Sequence, residues 1–173
     1  WQKSRNALMP NLPIEVLRGR VKRAKEIGLD YKSYASIRAA SGHDVIAFLF
    51  SSNALRAFVK SPQIPDDRLQ QLNNVQDCAR LAATLQPLSP EAFMAALPND
   101  PAPLFNQIFA APNFTSTWSQ TRETLLTGLR ADKLPRNGVV VIGDTTQERA
   151  WSEAARLAGY LSADRFFTSA TQP

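Results

Sequence analysis

The clearest pattern near the start of the chain is an apolar residue at every third or fourth position. This spacing places side chains on one face of an α-helix, and the residues concerned are Ile14, Leu17, Val21 and Ala24. Pro13 suits the first helical turn, where its missing N–H would have no intrahelical partner. The pattern predicts a helix from Pro13 to about Ile27 whose apolar stripe is needed for the core.

A second helix follows after a short break. Gly28 suits a left-handed helix ending, and Asp30 can cap a new helix that runs to about Ala40, before Ser41 and Gly42 end it. Tyr34 and Ile37 form the inward face of this second helix. Residues 13–41 are therefore predicted to form a helical pair.

Two later runs have the character of buried strands. Residues 45–50 (VIAFLF) are apolar and bounded by polar residues, which favours a strand, with a core helix from Asp44 as the open alternative. Val139–Ile142 predicts another strand, followed by a turn and a helix over 147–159. Residues 165–168 then predict a returning strand, which would complete a parallel βαβ unit.

The segments between these strands are mainly helical in pattern. Residues 66–85 predict one amphipathic helix, and residues 115–129 another. The expected fold is α/β: a small parallel sheet covered by helices, helix-rich, with an N-terminal basic helical pair. A length of 173 residues suits a single domain over 1–173, with the pair at 13–41 and a helix-rich body at 42–173.

Charge changes this picture because it is concentrated at one end. The net charge is +5, and residues 1–60 carry 11 Lys and Arg against 4 Asp and Glu, whereas residues 61–173 carry 9 against 11. The whole positive excess therefore lies in the first third of the chain. Such an asymmetry indicates an acidic partner, with DNA or RNA the leading expectation.

The helical pair has the spacing of a helix-turn-helix, with Ala24 and Gly28 where two helices would meet. Five basic residues would contact phosphates: Arg18, Arg20, Lys22, Arg23 and Lys25. The outward face of the second helix would carry Lys32, Ser33, Ser36 and Arg38, with Arg38 able to form a forked contact to guanine. The competing interpretation is an ordinary helical hairpin with a solvated charged face, or a surface for an acidic protein.

A second candidate site lies where the predicted strands over 45–50 and 139–142 end. The carboxyl ends of parallel strands meet at one edge of a sheet, where α/β proteins bind ligands. The residues expected there are Ser51, Ser52, Asn53, Asp144, Thr145 and Thr146. They could bind a phosphorylated small molecule in an enzyme or sensor domain, or simply cap the following helix, with Glu148 completing a capping box. A subunit that works only through protein contacts is the third alternative.

Several other classes are excluded or disfavoured. One cysteine (Cys78) and one histidine (His43) provide neither an internal disulfide nor a usual zinc site, so no metal or cofactor is expected. No nucleophile has an evident base beside it, which leaves enzymatic activity undecided. A membrane partner is not expected, because the longest apolar run is short and the first helix lacks Trp and Phe. The chain shows no signal peptide, which predicts a cytoplasmic location.

Overall fold

A computed structural model describes residues 12–98 and 102–169 of the chain. The strands in these ranges are β1 (Ala47–Ser51), β2 (Ala79–Thr84), β3 (Gln107–Ala110), β4 (Val139–Gly143) and β5 (Gly159–Ser162). The helices are α1 (Ile14–Glu26), α2 (Tyr31–Ser41), α3 (Asp66–Asn73), α4 (Pro90–Ala96), α5 (Trp118–Arg130), α6 (Thr146–Ala154) and α7 (Ala163–Ser169). A short 3₁₀ turn, Arg136–Gly138, leads into β4.

The five strands form one parallel sheet in the order β3-β2-β1-β4-β5. The chain moves outward from β1 to β3, then returns to the other side of β1 and moves outward again. This order is Rossmann-like, and the direction of progress reverses between β1 and β4. The predicted α/β fold with a parallel sheet covered by helices is confirmed.

The central strands are apolar on both faces because helices cover both sides of the sheet. Phe48 and Phe50 of β1 point to one side, while Leu49 points to the other. Residues 45–50 therefore contain a strand, and the alternative of a core helix there is wrong. The buried residues accordingly separate into two apolar clusters, one on each face of β1.

Different helices form the layers on the two faces of the sheet. One layer is formed by α1, α2, α3, α4 and α7, and Phe166 of α7 lies edge-on to Phe48 with ring centroids 5.1 Å apart. The opposite layer is formed by α5 and α6, whose Leu125 and Trp151 pack on the other face of the sheet. The predicted basic helical pair thus belongs to the first layer.

Two predicted elements are wrong. Residues 66–85 form helix α3 and then strand β2, because the chain leaves the helix at Asn74 and turns through Asp77, whose φ is +51°. Residues 165–168 lie in helix α7. The returning strand is β5, which begins six residues before the predicted start. The predicted βαβ unit is nevertheless present, with α6 connecting β4 to β5.

Candidate functional site

The N-terminal helical pair has the ends that the sequence predicts. Gly28 adopts the left-handed conformation (φ +79°) after α1, and Gly42 does so after α2 (φ +75°). The Asp30 carboxylate caps α2 by accepting a hydrogen bond from the Ser33 N–H at 3.0 Å. Partial burial acts to raise the pKa of Asp30, but the hydrogen bonds from Ser33 and the charge of Arg165 outweigh it, so the pKa lies below its usual value.

Asp44, just before β1, joins both helices to the sheet. Its carboxylate accepts a hydrogen bond from the Tyr34 hydroxyl at 2.8 Å and one from Arg23 Nε at 3.2 Å, and it lies 3.6 Å from Arg38 Nη1. Burial, followed by the hydrogen bond to Asp44, raises the pKa of Tyr34. No pattern in the sequence predicted this structural role of Asp44, because its three partners lie on two different helices.

Arg23 reaches further into the domain than the other basic residues of α1. Its Nη2 group donates hydrogen bonds of 2.9 Å to the carbonyl oxygens of Val45 and Asp77. The Gln76 N–H also donates to the Glu26 carbonyl at the end of the helix. The C-terminal end of α1 is therefore anchored to the segments that lead into β1 and β2, and Arg23 serves that anchor.

Three basic residues of α1 remain on its outer surface. Arg18, Lys22 and Lys25 recur at intervals of four and three residues, which places them on one face, here called the basic stripe. The side chains of Arg18 and Lys22 are 72% and 80% exposed. They lie 3.8 Å from Glu15 and 4.0 Å from Glu26 respectively, and such exposed pairs hold a side chain only weakly. Arg20 is half-buried.

The apolar residues of α1 are not where the sequence predicts. Ile14, Leu17 and Val21 are 63%, 37% and 46% exposed, and Ala24 is the only buried residue within the helix. The helix is buried against the domain at Ala24 and Ile27, near its C-terminal end, whereas residues 12–19 are exposed. The prediction that the whole stripe serves the core is wrong, and Ile14, Leu17 and Val21 form an exposed apolar stripe.

The outward face of α2 is narrower than predicted. Ser33 is only 3% exposed, because its position in the first turn faces the domain, so the expectation that it points outward is wrong. Lys32 and Ser36 are exposed, and the half-buried Arg38 lies in the ion pair with Asp44. Of the four side chains expected on the outward face of this helix, two are therefore fully on the surface.

The residues of the second candidate site, which follow two of the predicted strands, do lie together at the carboxyl edge of the sheet. Strands β1 and β4 are neighbours, and Asn53 Nδ2 donates a hydrogen bond of 2.8 Å to Glu148 Oε1, which joins the two following loops. Ser51 and Ser52 are buried, and their hydroxyl oxygens accept hydrogen bonds from the N–H groups of Ala54 and Leu85. Asp144, Thr145 and Thr146 are exposed.

Glu148 occupies the centre of this edge and is 1% exposed. It forms the predicted capping box with Thr145, whose N–H donates to Oε2 at 3.0 Å, and it also accepts from the Asp144 N–H. A Cβ on Gly143 would lie 2.8 Å from this carboxylate, so the strand must end in glycine. Donors that could bind a phosphate are thus already bonded to an internal carboxylate.

A cleft of about 450 Å³ opens beside this edge, between the loops that follow β1 and β2. It is lined mostly by apolar side chains, and among the described residues Lys60 is the only charged one in its wall. Phe58 and Val59, in the first of these loops, are each about half exposed. No sequence pattern predicted this cleft, because its walls are loops brought together by the pairing of β1 with β2.

Arg68 is a further residue that sequence patterns did not single out. It is buried, donates a hydrogen bond to the Ala54 carbonyl, and lies 4.3 Å from the ring centre of Phe167. Burial lowers its pKa. Its Nε has no hydrogen-bond partner among the described residues. Arg68 holds the loop after β1 against α3 and α7.

The described ranges contain no cluster of three or more residues that could hold a metal ion. None of the helices in the same ranges combines the length and the apolar character needed to cross a bilayer. Comparison of the chain with protein-family models, with curated proteins and with solved structures finds no match. The inference of function therefore rests on the geometry, burial and charge of the residues of this chain.

Proposed function

We propose that this protein binds an acidic partner through the basic stripe of α1. The observation that supports the proposal is the exposure of Arg18, Lys22 and Lys25 on one face of α1. Their neighbours Arg23 and Arg38 are bonded within the fold, so this stripe carries the accessible positive charge of α1.

Nucleic acid is the first partner to test, because phosphates offer closely spaced negative charge. Binding would be independent of base sequence, since phosphate contacts position a protein without reading bases. The surface of α2 offers little to base recognition, with Ser33 buried and Arg38 paired to Asp44. An acidic polypeptide would satisfy the same basic residues.

The test is fluorescence anisotropy of labelled random DNA, random RNA and poly-glutamate, titrated with the full chain at several salt concentrations. We expect binding that weakens steeply as salt rises, and a triple variant Arg18→Gln, Lys22→Gln, Lys25→Gln that binds at least tenfold more weakly with a smaller salt slope. The matched control replaces three exposed basic residues outside α1: Arg122, Arg130 and Lys133.

The control removes the same net charge from a remote surface, so its affinity should stay close to that of the original protein. Equal losses in both variants would show that net charge alone attracts polyanions, and would contradict a site on α1. Absence of binding to all three probes at low salt would contradict the proposed function itself.

A second candidate function is binding of a phosphorylated small molecule in the cleft at the carboxyl edge. The observation that favours it is the position of an apolar cleft, with Lys60 in its wall, beside the strands where the sheet order reverses. Because the N–H groups of Asp144 and Thr145 already donate to Glu148, Lys60 would supply the positive charge that binds such a ligand.

Thermal unfolding in the presence of inorganic phosphate and simple phosphorylated sugars tests this candidate. A ligand that binds the folded state raises the unfolding temperature. Lys60→Gln should remove that shift, whereas Lys133→Gln should retain it. No shift at millimolar ligand would exclude this function for those compounds.

A further inference from the structure

The apolar stripe of α1 is not explained by attraction to a polyanion. Ile14, Leu17 and Val21 expose apolar surface beside the basic stripe, and phosphate groups would gain nothing from it. Leu12 and Val16 add further exposed apolar surface at the same end of the helix. A surface of this kind is typical of a site that contacts another protein.

The two stripes lie side by side on the helix. With about 100° between successive residues, Lys25 lies about 20° and Arg18 about 40° around the helix from Ile14. Val21 lies about 20° on the other side of Ile14. A partner that covers the apolar stripe is therefore placed to meet basic residues along one flank of its contact.

We infer that α1 binds an acidic amphipathic helix of another protein; this rests on the proposed function and specifies the class of partner. The partner's apolar residues pack on Ile14, Leu17 and Val21, which recur at i, i+3 and i+7, the spacing by which helices engage one another. Its Asp and Glu residues flank that seam and face Arg18, Lys22 and Lys25.

Charge complementarity favours an acidic helix over a second copy of the chain, and the composition of α1 disfavours a membrane surface. A second copy of the chain packed antiparallel would bring two basic stripes towards each other across the seam, and a parallel copy would place each stripe opposite a flank that has no acidic residue. A membrane surface would be expected to engage Trp or Phe at its interface, and the residues of α1 include neither. An acidic amphipathic helix can cover the apolar stripe and pair with the basic stripe at the same time.

The test uses the full chain and two labelled synthetic helical peptides of about 21 residues. Both carry Glu on their polar face; one has Leu at the seam positions, and the other has Gln at those positions and the same charge. We expect the Leu peptide to bind on the order of tenfold more tightly than the Gln peptide. Leu17→Gln with Val21→Gln should remove that difference, and Arg18→Gln, Lys22→Gln, Lys25→Gln should weaken both peptides.

Equal affinity for the two peptides, unchanged by Leu17→Gln with Val21→Gln, would overturn the inference while leaving electrostatic binding intact. Absence of salt-dependent binding to either peptide, to nucleic acid and to poly-glutamate would overturn the proposed function as well. Sedimentation of the chain alone and flotation with vesicles of phosphatidylcholine and phosphatidylserine complete the test. Self-association or vesicle binding that the same double variant abolishes would assign the stripe to a second copy or to a membrane surface, and would also overturn the inference.

Discussion

The carboxyl edge of the sheet and the outer face of α1 both carry polar side chains, but these side chains differ in burial and in bonding. At the edge, Asn53 and Thr145 both donate hydrogen bonds to Glu148, whose carboxylate is buried. On α1, Arg18 and Lys22 lie in solvent with only weak pairing. Residue type alone does not distinguish a group that maintains the fold from one that can meet a partner; the difference lies in burial and existing bonds.

The largest effect is expected where the edge is most tightly bonded. Glu148→Ala should lower the free energy of unfolding by about 3 kcal/mol, because the N–H groups of Asp144 and Thr145 and the amide of Asn53 lose their acceptor. Urea denaturation measures this, with the exposed Glu153→Ala on the same helix as the control.

Ultraviolet titration of the same variant gives an independent readout. Burial and then the charge of Glu148 raise the pKa of Tyr160, so this pKa should fall when the carboxylate is removed. A Glu148→Ala protein as stable as the original, with an unchanged Tyr160 titration, would show that the edge is not held by this carboxylate.

A smaller loss is expected at the anchor between α1 and the sheet. Asp44→Ala should cost about 2 kcal/mol, since Tyr34, Arg23 and Arg38 lose a shared partner that is itself partly exposed. Chemical denaturation is the measurement, and Asp132→Ala at an exposed position is the control. Equal stability of the two variants would mean that α1 is anchored without this carboxylate, by its apolar contacts and by the hydrogen bonds from Arg23 to carbonyl oxygens.

The cap of α2 should contribute less, and its contribution should depend on pH. Asp30→Ala is expected to cost about 1 kcal/mol at neutral pH. The pKa of Asp30 is lower in the folded state, so its stabilisation is complete above the unfolded pKa of about 3.9 and is lost as pH falls through the lower folded value. Urea denaturation at pH 7 and pH 3 should show the difference between the two proteins shrink; a constant difference would contradict this account.

The smallest effect is expected on the apolar stripe. Leu17→Gln with Val21→Gln should change the free energy of unfolding by less than about 0.5 kcal/mol, because both side chains are already exposed. Ala24→Gln, on the buried side of the same helix, is the contrasting variant and should be clearly destabilising. A large loss in the double variant would place the stripe within the folded core and remove the contrast between the two regions.

Local patterns predicted the elements whose signals are local. The ends of α1 and α2 follow from Gly28, Asp30 and Gly42, and the capping box of α6 follows from the spacing of Thr145 and Glu148. The convergence of the loops after β1 and β4 also followed, because it depends only on two buried parallel strands being neighbours.

What could not be predicted depends on the rest of the fold. The sequence of β2 is rich in alanine and favours a helix, but its place between β1 and β3 makes it a strand. Phe166 and Phe167 suggested a strand, yet one turn of helix brings Phe166 against both Phe48 and Phe50. Periodicity identified the apolar face of α1, but only the position of its anchor shows that most of this face remains uncovered.

The hydrogen bonds of Arg23 also bear on the order in which parts of the protein fold. One guanidinium bonds to the carbonyl oxygens of residues 45 and 77, the latter 54 positions away along the chain. These acceptors come together only when β1 and β2 are side by side, which is a slow, long-range step of folding. During synthesis, α1 would therefore acquire its final orientation only after the β2 segment has left the ribosome, which couples the orientation of this helix to the pairing of β1 with β2.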